Sequence, residues 1–190
     1  MVLDAAGSLA ALHGPSALTF ALVGTSVGLS PASLVQRFGT RDELVRAALL
    51  HMWDKLDQAT AAADARSPSG PEGALELLVR LSVGYGPGDD EVAQGLLLLR
   101  EDLRDPLLRA RGVAWGDTLA AALGRRLCSK PTRQKLLGRL LVQQWQGAVL
   151  WWCFSRSGRL GTYLRRELRV LLGALADAPR DAPRKMARRP

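Results

Sequence analysis

The sequence contains few of the residues and patterns that identify membrane proteins or disulfide-stabilised domains. It has only two cysteines, Cys128 and Cys153, and their wide separation excludes a disulfide framework or a zinc knuckle. The longest apolar stretch, residues 147–154, is far shorter than the roughly 20 residues that a membrane-spanning helix needs. The sequence shows no export signal, because no basic start leads into an apolar run with a cleavage site. These absences predict a cytoplasmic protein with no membrane association.

The sequence also lacks the compact motifs that mark catalytic sites. It contains no phosphate-binding P-loop, no glycine-rich dinucleotide loop after a strand and no nucleophile elbow. His13 and His51 have no partners at the spacing of metal ligands. We therefore predict a protein that is not an enzyme and that carries neither a metal nor a cofactor.

The composition is that of a folded globular domain with an uneven charge distribution. Apolar residues make up 47% and charged residues 23% of the 190 residues, which excludes a disordered chain. The net charge is +8, yet residues 1–50 hold three basic and three acidic side chains. The positive excess lies in residues 101–190, so the basic character of the chain does not by itself locate a nucleic-acid site.

Apolar residues recur with helical spacing along almost the entire chain, and proline and glycine divide the pattern into segments. These breaks predict helices at approximately residues 2–12, 19–27, 31–38, 40–64, 72–84, 90–103, 106–127, 132–155 and 161–176. The sequence therefore predicts an all-α protein of about nine helices. We expect a head (residues 1–47), a helical body (residues 48–176) and a disordered basic tail (residues 177–190).

The most informative segment, residues 18–44, has the features of two short helices joined by a tight turn. Gly28 can adopt the positive φ that such a corner needs. Ser30 and Pro31 are favoured at the first positions of a helix, so the second helix begins sharply. Leu34 faces inward and anchors it. This pattern predicts a helix-turn-helix whose second helix enters the major groove of DNA.

The outward side of this second helix carries small and polar side chains. Ala32 and Ser33 are small enough to let the helix approach the base edges. Gln36 can pair with adenine, and Arg37 can pair with guanine or a phosphate. A phosphate can also be held at the N-termini of the two flanking helices. We predict DNA contacts from Thr19, Ser30, Pro31, Ala32, Ser33, Val35, Gln36, Arg37 and Arg41.

These features occur together in a spacing that resembles the tetracycline-repressor (TetR) family. The residues that carry the resemblance are 2–6, His13, Gly14, Leu18, Thr19, 27–30, Leu34, Phe38, Gly39 and 41–44. The resemblance implies a homodimeric transcriptional repressor. It also implies that a small-molecule effector, bound in the helical body, releases the protein from a palindromic operator in double-stranded DNA.

Three departures from the family pattern leave an alternative open. The family usually has a phosphate-binding lysine and tyrosine where this chain has Pro31 and Val35. The family also has a basic arm before its first helix, whereas Met1 falls where that helix begins. The alternative is a helical small-molecule-binding protein whose DNA-binding head has decayed.

The body offers candidates for an effector pocket and for a subunit interface. Large aromatic side chains are typical of apolar pockets, and we predict a largely apolar effector bound by Trp115, Gln144, Trp145 and Ala148. Residues 147–154 are apolar on all sides of their helix, so they must be covered on two sides. We predict that a second subunit covers one side, through Leu141, Trp151, Trp152, Leu164, Leu168 and Leu171. A fully buried core helix is the alternative.

Overall fold

The computed structural model describes residues 1–84 and 89–177, with side chains described within residues 1–83 and 95–175. This part of the chain forms nine α-helices and two short 3-10 turns, Pro15–Ala17 and Ser82–Gly84, without a β-strand. The helices are α1 (Val2–His13), α2 (Phe20–Val27), α3 (Pro31–Phe38), α4 (Arg41–Arg66), α5 (Gly70–Leu81), α6 (Asp89–Arg104), α7 (Pro106–Leu127), α8 (Pro131–Ser155) and α9 (Leu160–Asp177).

The all-α prediction is confirmed, and the predicted breaks lie close to the observed helix ends. The tail predicted for residues 177–190 lies outside the described residues, apart from Asp177 at the end of α9. Among the helices that the structure describes, none combines the length and the apolar character needed to cross a bilayer.

Polar side chains determine where the helices begin. Thr40 and Glu43 form a reciprocal capping box at the start of α4, in which the Glu43 carboxylate accepts the Thr40 N–H at 2.8 Å. This hydrogen bond holds the pKa of Glu43 below its usual value. Asp105 caps α7 by accepting the N–H groups of Leu107 at 2.8 Å and Leu108 at 3.3 Å. The chain therefore turns sharply before both helices.

The helices enclose two hydrophobic cores that share α4. The head core contains Val2, Ala6, Ala10, Leu18, Val23, Leu34, Leu44 and Ala48. The body core includes Ala63, Leu75, Leu78, Trp115, Leu119, Leu123, Leu141, Trp145, Trp152, Leu164 and Leu168. Because α4 contributes Leu44 and Ala48 to the first core and Ala63 to the second, a displacement of α4 against the body changes the position of the head.

Candidate nucleic-acid interface

Two glycines make the turn between α2 and α3. Gly28 ends α2 in the left-handed conformation, with φ of 71°, as the sequence pattern predicts. The N–H of Leu29 then donates to the carbonyl oxygen of Gly24 at 3.0 Å. A Cβ atom on Gly24 would lie 2.5 Å from the carbonyl oxygen of Leu29, so that position has no room for a side chain. Gly24 is not among the residues predicted from the sequence, although a glycine one helical turn before Gly28 is a readable signal.

The start of α3 is defined by Ser30. Its hydroxyl accepts the N–H of Ser33 at 3.1 Å, and the hydroxyl oxygens of Ser30 and Ser33 lie 2.9 Å apart. Pro31 occupies the first helical position, where a missing N–H has no cost. Leu34 is 1% exposed and fixes α3 to the head core. The rest of α3 therefore turns its polar side away from the protein.

The outward side of α3 is accessible in the single chain. Its exposed residues are Pro31, Ala32, Ser33, Val35, Gln36 and Arg37. The Arg37 guanidinium lies 5.2 Å from the centre of the Phe38 ring, which supports the side chain at the end of the helix. Thr19 is also exposed, and its hydroxyl oxygen caps α2 by accepting the N–H of Leu22 at 3.1 Å. The hydroxyl hydrogen of Thr19 is thus left for an outside acceptor.

Arg41 makes hydrogen bonds within the chain, and the phosphate contact predicted for it stays a prediction. Its guanidinium donates to the carbonyl oxygens of Leu18 at 2.8 Å, Pro15 at 2.8 Å and Ser16 at 2.9 Å. These bonds tie the connection between α1 and α2 to the start of α4. Because carbonyl oxygens of the chain occupy its donors, Arg41 supports the position of the head helices.

The head presents little positive charge to DNA. Arg46 donates to the Asp105 carboxylate at 2.6 Å, and this charge-assisted bond raises the pKa of Arg46 and lowers that of Asp105. Lys55 lies 3.0 Å from the Asp4 carboxylate. Within residues 1–48, all of which the structure describes, Arg37 is the arginine without a carboxylate or carbonyl partner. The head therefore presents the outward side of α3, and not a cationic surface, as its candidate interface.

Three of the four residues predicted to bind the effector lie together in the body core. Trp115, Trp145 and Ala148 are buried, and the centres of the two indole rings are 6.3 Å apart. The indole N–H of Trp115 donates to the Thr60 hydroxyl at 2.9 Å. Gln144 does not join them, because its side of α8 faces outward. The predicted pocket is filled by its own side chains in this conformation.

The residues predicted to form a subunit interface divide between the core and the surface. Leu141, Trp152, Leu164 and Leu168 are buried within one chain, and Leu171 is partly buried. Trp151 is 66% exposed and contacts the ring of Phe154, with 5.6 Å between ring centres. A different set forms an exposed apolar stripe along α8, here called the α8 outer face: Leu136, Leu140, Leu150, Trp151 and Phe154.

The described part of the chain thus covers residues 147–154 on one of the two predicted sides. The buried side of α8 packs into the body core, and the α8 outer face is open in the single chain. Gln144 lies on the same side of α8 as Trp151, at a spacing of two helical turns. The α8 outer face is therefore the candidate surface for a second subunit, and the four buried residues lie behind it.

A helix-turn-helix head with an accessible second helix, joined through a shared helix to an all-helical body, defines a class of DNA-binding regulators. Residues 2–48 match the family model described as bacterial regulatory proteins, tetR family. The resemblance to the TetR family that the sequence predicts is thus confirmed for these residues. No curated protein matches the sequence.

Solved structures share the fold over most of the chain. A TetR-family member from Streptomyces coelicolor A3 is 26% identical, with a TM-score of 0.66, and the match covers 90% of this chain and 95% of that one. The multidrug binding protein EbrR, solved with imidazole, is also 26% identical, with a TM-score of 0.63 and coverage of 90% and 87%. EbrR has further structures with proflavin and malachite green. A protein from Saccharomonospora viridis, in complex with choline, is 19% identical, with a TM-score of 0.69 and coverage of 90% and 93%.

Proposed function

We propose that the chain is a homodimeric repressor that binds a palindromic operator through α3 and leaves it when a small molecule binds the body. The observation that carries this proposal is the geometry of α3. Leu34 is buried behind the helix, while the opposite side presents Ser33, Gln36 and Arg37 without obstruction. Such a helix fits the major groove with its N-terminal residues toward the base edges. Cytoplasmic location is part of the same proposal.

The roles of the α3 side chains follow from their hydrogen-bonding groups. Gln36 carries an amide that can pair with the donor and acceptor of adenine, and Arg37 carries a fork that suits guanine or a phosphate. Because Arg41 and Arg46 are engaged within the chain, few phosphates are neutralised by the head. We therefore expect the operator affinity to fall less steeply with salt than it does for a strongly cationic head.

A second subunit is required for the symmetry of the proposed operator. The α8 outer face supplies an apolar surface for it, led by Trp151 and Phe154. In a two-fold dimer the same face meets its own copy, and the two α3 helices then reach major grooves about 34–36 Å apart or a multiple of this.

The proposed effector binding is inferred from similar proteins with bound small molecules. EbrR binds imidazole, proflavin and malachite green, and the Saccharomonospora viridis protein binds choline. By similarity we infer that the body of this chain also binds a small molecule. A ligand that prefers one arrangement of α4 against the body shifts the population of head positions, because α4 belongs to both cores.

A selection from random duplex DNA tests the function, followed by mobility-shift titration on the enriched sequence. An enriched palindrome is expected, and Gln36→Ala and Arg37→Ala are each expected to weaken binding by about tenfold or more while leaving the dimer intact. Gln58→Ala and Arg66→Ala are matched controls, since both residues are exposed on α4 outside the head. Absence of any enriched sequence would support the alternative, a small-molecule-binding protein with a decayed head, which the low charge of the head favours.

A further inference from the structure

One carboxylate in the body differs from all the others that are partly buried there. Among the described residues of the body, the remaining partly buried carboxylates each pair with an arginine: Asp57, Asp64, Glu76, Glu101, Asp105 and Glu167. Asp102 on α6 instead accepts a hydrogen bond from the indole N–H of Trp53 on α4, at 3.0 Å. No lysine or arginine of the described residues contacts Asp102.

Among the residues that the structure describes, this arrangement leaves the negative charge of Asp102 without a countercharge. Burial raises the pKa of Asp102, and the single neutral donor offsets this only in part. A partly buried carboxylate near neutral pH is therefore held at a cost in free energy, which an incoming cation would remove. Within the described part of the body, every comparable carboxylate has an arginine partner, so the missing partner at Asp102 is a specific feature of this position.

Trp53, which donates its N–H to Asp102, is the first of three tryptophans whose rings lie in a row. The ring of Trp53 lies 5.7 Å from that of Trp115, which lies 6.3 Å from that of Trp145, and both pairs are tilted by slightly more than 50°. The Trp53 ring rests against Gly112 of α7, where a Cβ atom would lie 3.3 Å from the ring. Indole faces carry the negative end of a quadrupole and attract cations.

The row of tryptophans runs from the surface to the interior. Trp53 and Asp102 are both partly exposed, whereas Trp115 and Trp145 are buried in the body core. A ligand arriving from solvent at the junction of α4, α6 and α7 thus meets the carboxylate and the outermost indole first. Apolar ring surface lies directly behind them.

We propose that the effector is an aromatic cation whose charge pairs with Asp102 and whose rings stack on Trp53, with Trp115 behind it. The inference rests on the proposed function, in which the body binds the effector. It assigns Asp102 as the residue that selects for positive charge. Because Trp53 belongs to α4, a cation that takes over the Asp102 carboxylate replaces a contact between α4 and α6.

Two dyes of the same shape and different charge test this assignment. Near neutral pH proflavin is a three-ring cation, and acridine has the same ring skeleton without the charge. We expect calorimetric titration to show that the wild type binds proflavin at least about tenfold more tightly than acridine. Asp102→Asn, which keeps the shape and the acceptor for Trp53, should abolish that preference while leaving acridine binding within about twofold.

Two further variants separate a charge-selecting role from a structural one. Asp117→Asn removes an equal charge from an exposed site on α7 and should keep the preference for proflavin. Trp53→Phe keeps an aromatic ring but loses the N–H that holds Asp102, so it should keep the preference as well. If Trp53→Phe loses it as Asp102→Asn does, the hydrogen bond between the two side chains, and not the charge of Asp102, sets the preference and the proposal is wrong.

The remaining outcomes are also decisive. Equal affinity of the wild type for both dyes, binding of neither dye, or an unchanged preference in Asp102→Asn overturns the proposal. The titrations contain no DNA, so they are independent of the operator selection. A chain that enriches a palindrome but fails these titrations refutes the cation assignment alone. A chain that binds proflavin through Asp102 but enriches no DNA refutes the repressor alone.

Discussion

Truncation of Trp151 is the most direct test of the α8 outer face. Trp151 is 66% exposed in the single chain, so its replacement by alanine leaves the body core intact and changes the stability of the fold by no more than about 0.5 kcal/mol. In the proposed dimer the same side chain is covered by the partner. The variant therefore separates the association of subunits from the folding of each one.

The expected effect on association follows from the exposed area. A tryptophan side chain buries up to about 250 Å², so truncation to alanine removes roughly 100 Å² of the exposed part of Trp151 from the interface. At about 25 cal/mol per Å² this amounts to about 2.5 kcal/mol for each subunit, or about 5 kcal/mol for each dimer. Even if half of this loss is recovered by rearrangement, the dissociation constant of the dimer rises by about sixtyfold.

Sedimentation equilibrium over a wide concentration range measures this constant. Leu12→Ala is the control, because Leu12 is 64% exposed on α1 in the head, away from the α8 outer face. The control should associate like the wild type. A dissociation constant for Trp151→Ala within about threefold of the wild type, or a wild type that sediments as a monomer throughout, would refute the proposed interface.

Three other substitutions test features of the fold and the site. Gly24→Ala should destabilise the head by about 1–3 kcal/mol in urea unfolding, because its Cβ would press on the Leu29 carbonyl; unchanged stability would contradict the close approach. Arg41→Lys should also lower stability, because one ammonium group cannot reproduce the fork that reaches three carbonyl oxygens, and a matched Arg66→Lys should not. Asp102→Asn should be at least as stable as the wild type at neutral pH, since the raised pKa of Asp102 penalises the ionised form in the folded chain. This advantage should shrink as pH falls through the raised pKa towards the ordinary value of 3.8, and an advantage that grows on acidification would contradict the sign.

The helix boundaries and the turn could be predicted because their causes are local. Gly28, Ser30 and Pro31 act within a few residues of their own positions, and the structure assigns them the backbone roles that the pattern indicates. The capping box of Thr40 and Glu43 is equally local. Arg41 shows the limit of this reasoning. Its position at a helix N-terminus suggests a phosphate, but its acceptors are carbonyl oxygens 23 to 26 residues earlier in the chain.

Periodicity alone could not determine which side of α8 faces the core. Residues 147–154 are apolar around the whole helix, so the pattern demands two covering surfaces without saying which one the chain itself provides. The choice depends on α7 and α9, whose leucines and Trp115 enclose the side with Leu141 and Trp152. The other side retains Trp151 and Phe154, which no described part of the chain covers.

The pairing of Trp53 with Asp102 is hidden from sequence reasoning for the same physical reason. The two residues are 49 positions apart, on helices that the sequence pattern does not place next to each other. In the sequence, Asp102 follows Glu101 and precedes Arg104 in a charged segment that resembles an ordinary solvated helix end. Glu101 pairs with Arg100 and Arg104 of its own helix, whereas only the tertiary structure shows that its neighbour Asp102 faces an indole of α4. Glu101 and Asp102 are consecutive on α6 and therefore point in different directions. The chain neutralises the first carboxylate, and in the proposed site the second is left for a cationic ligand.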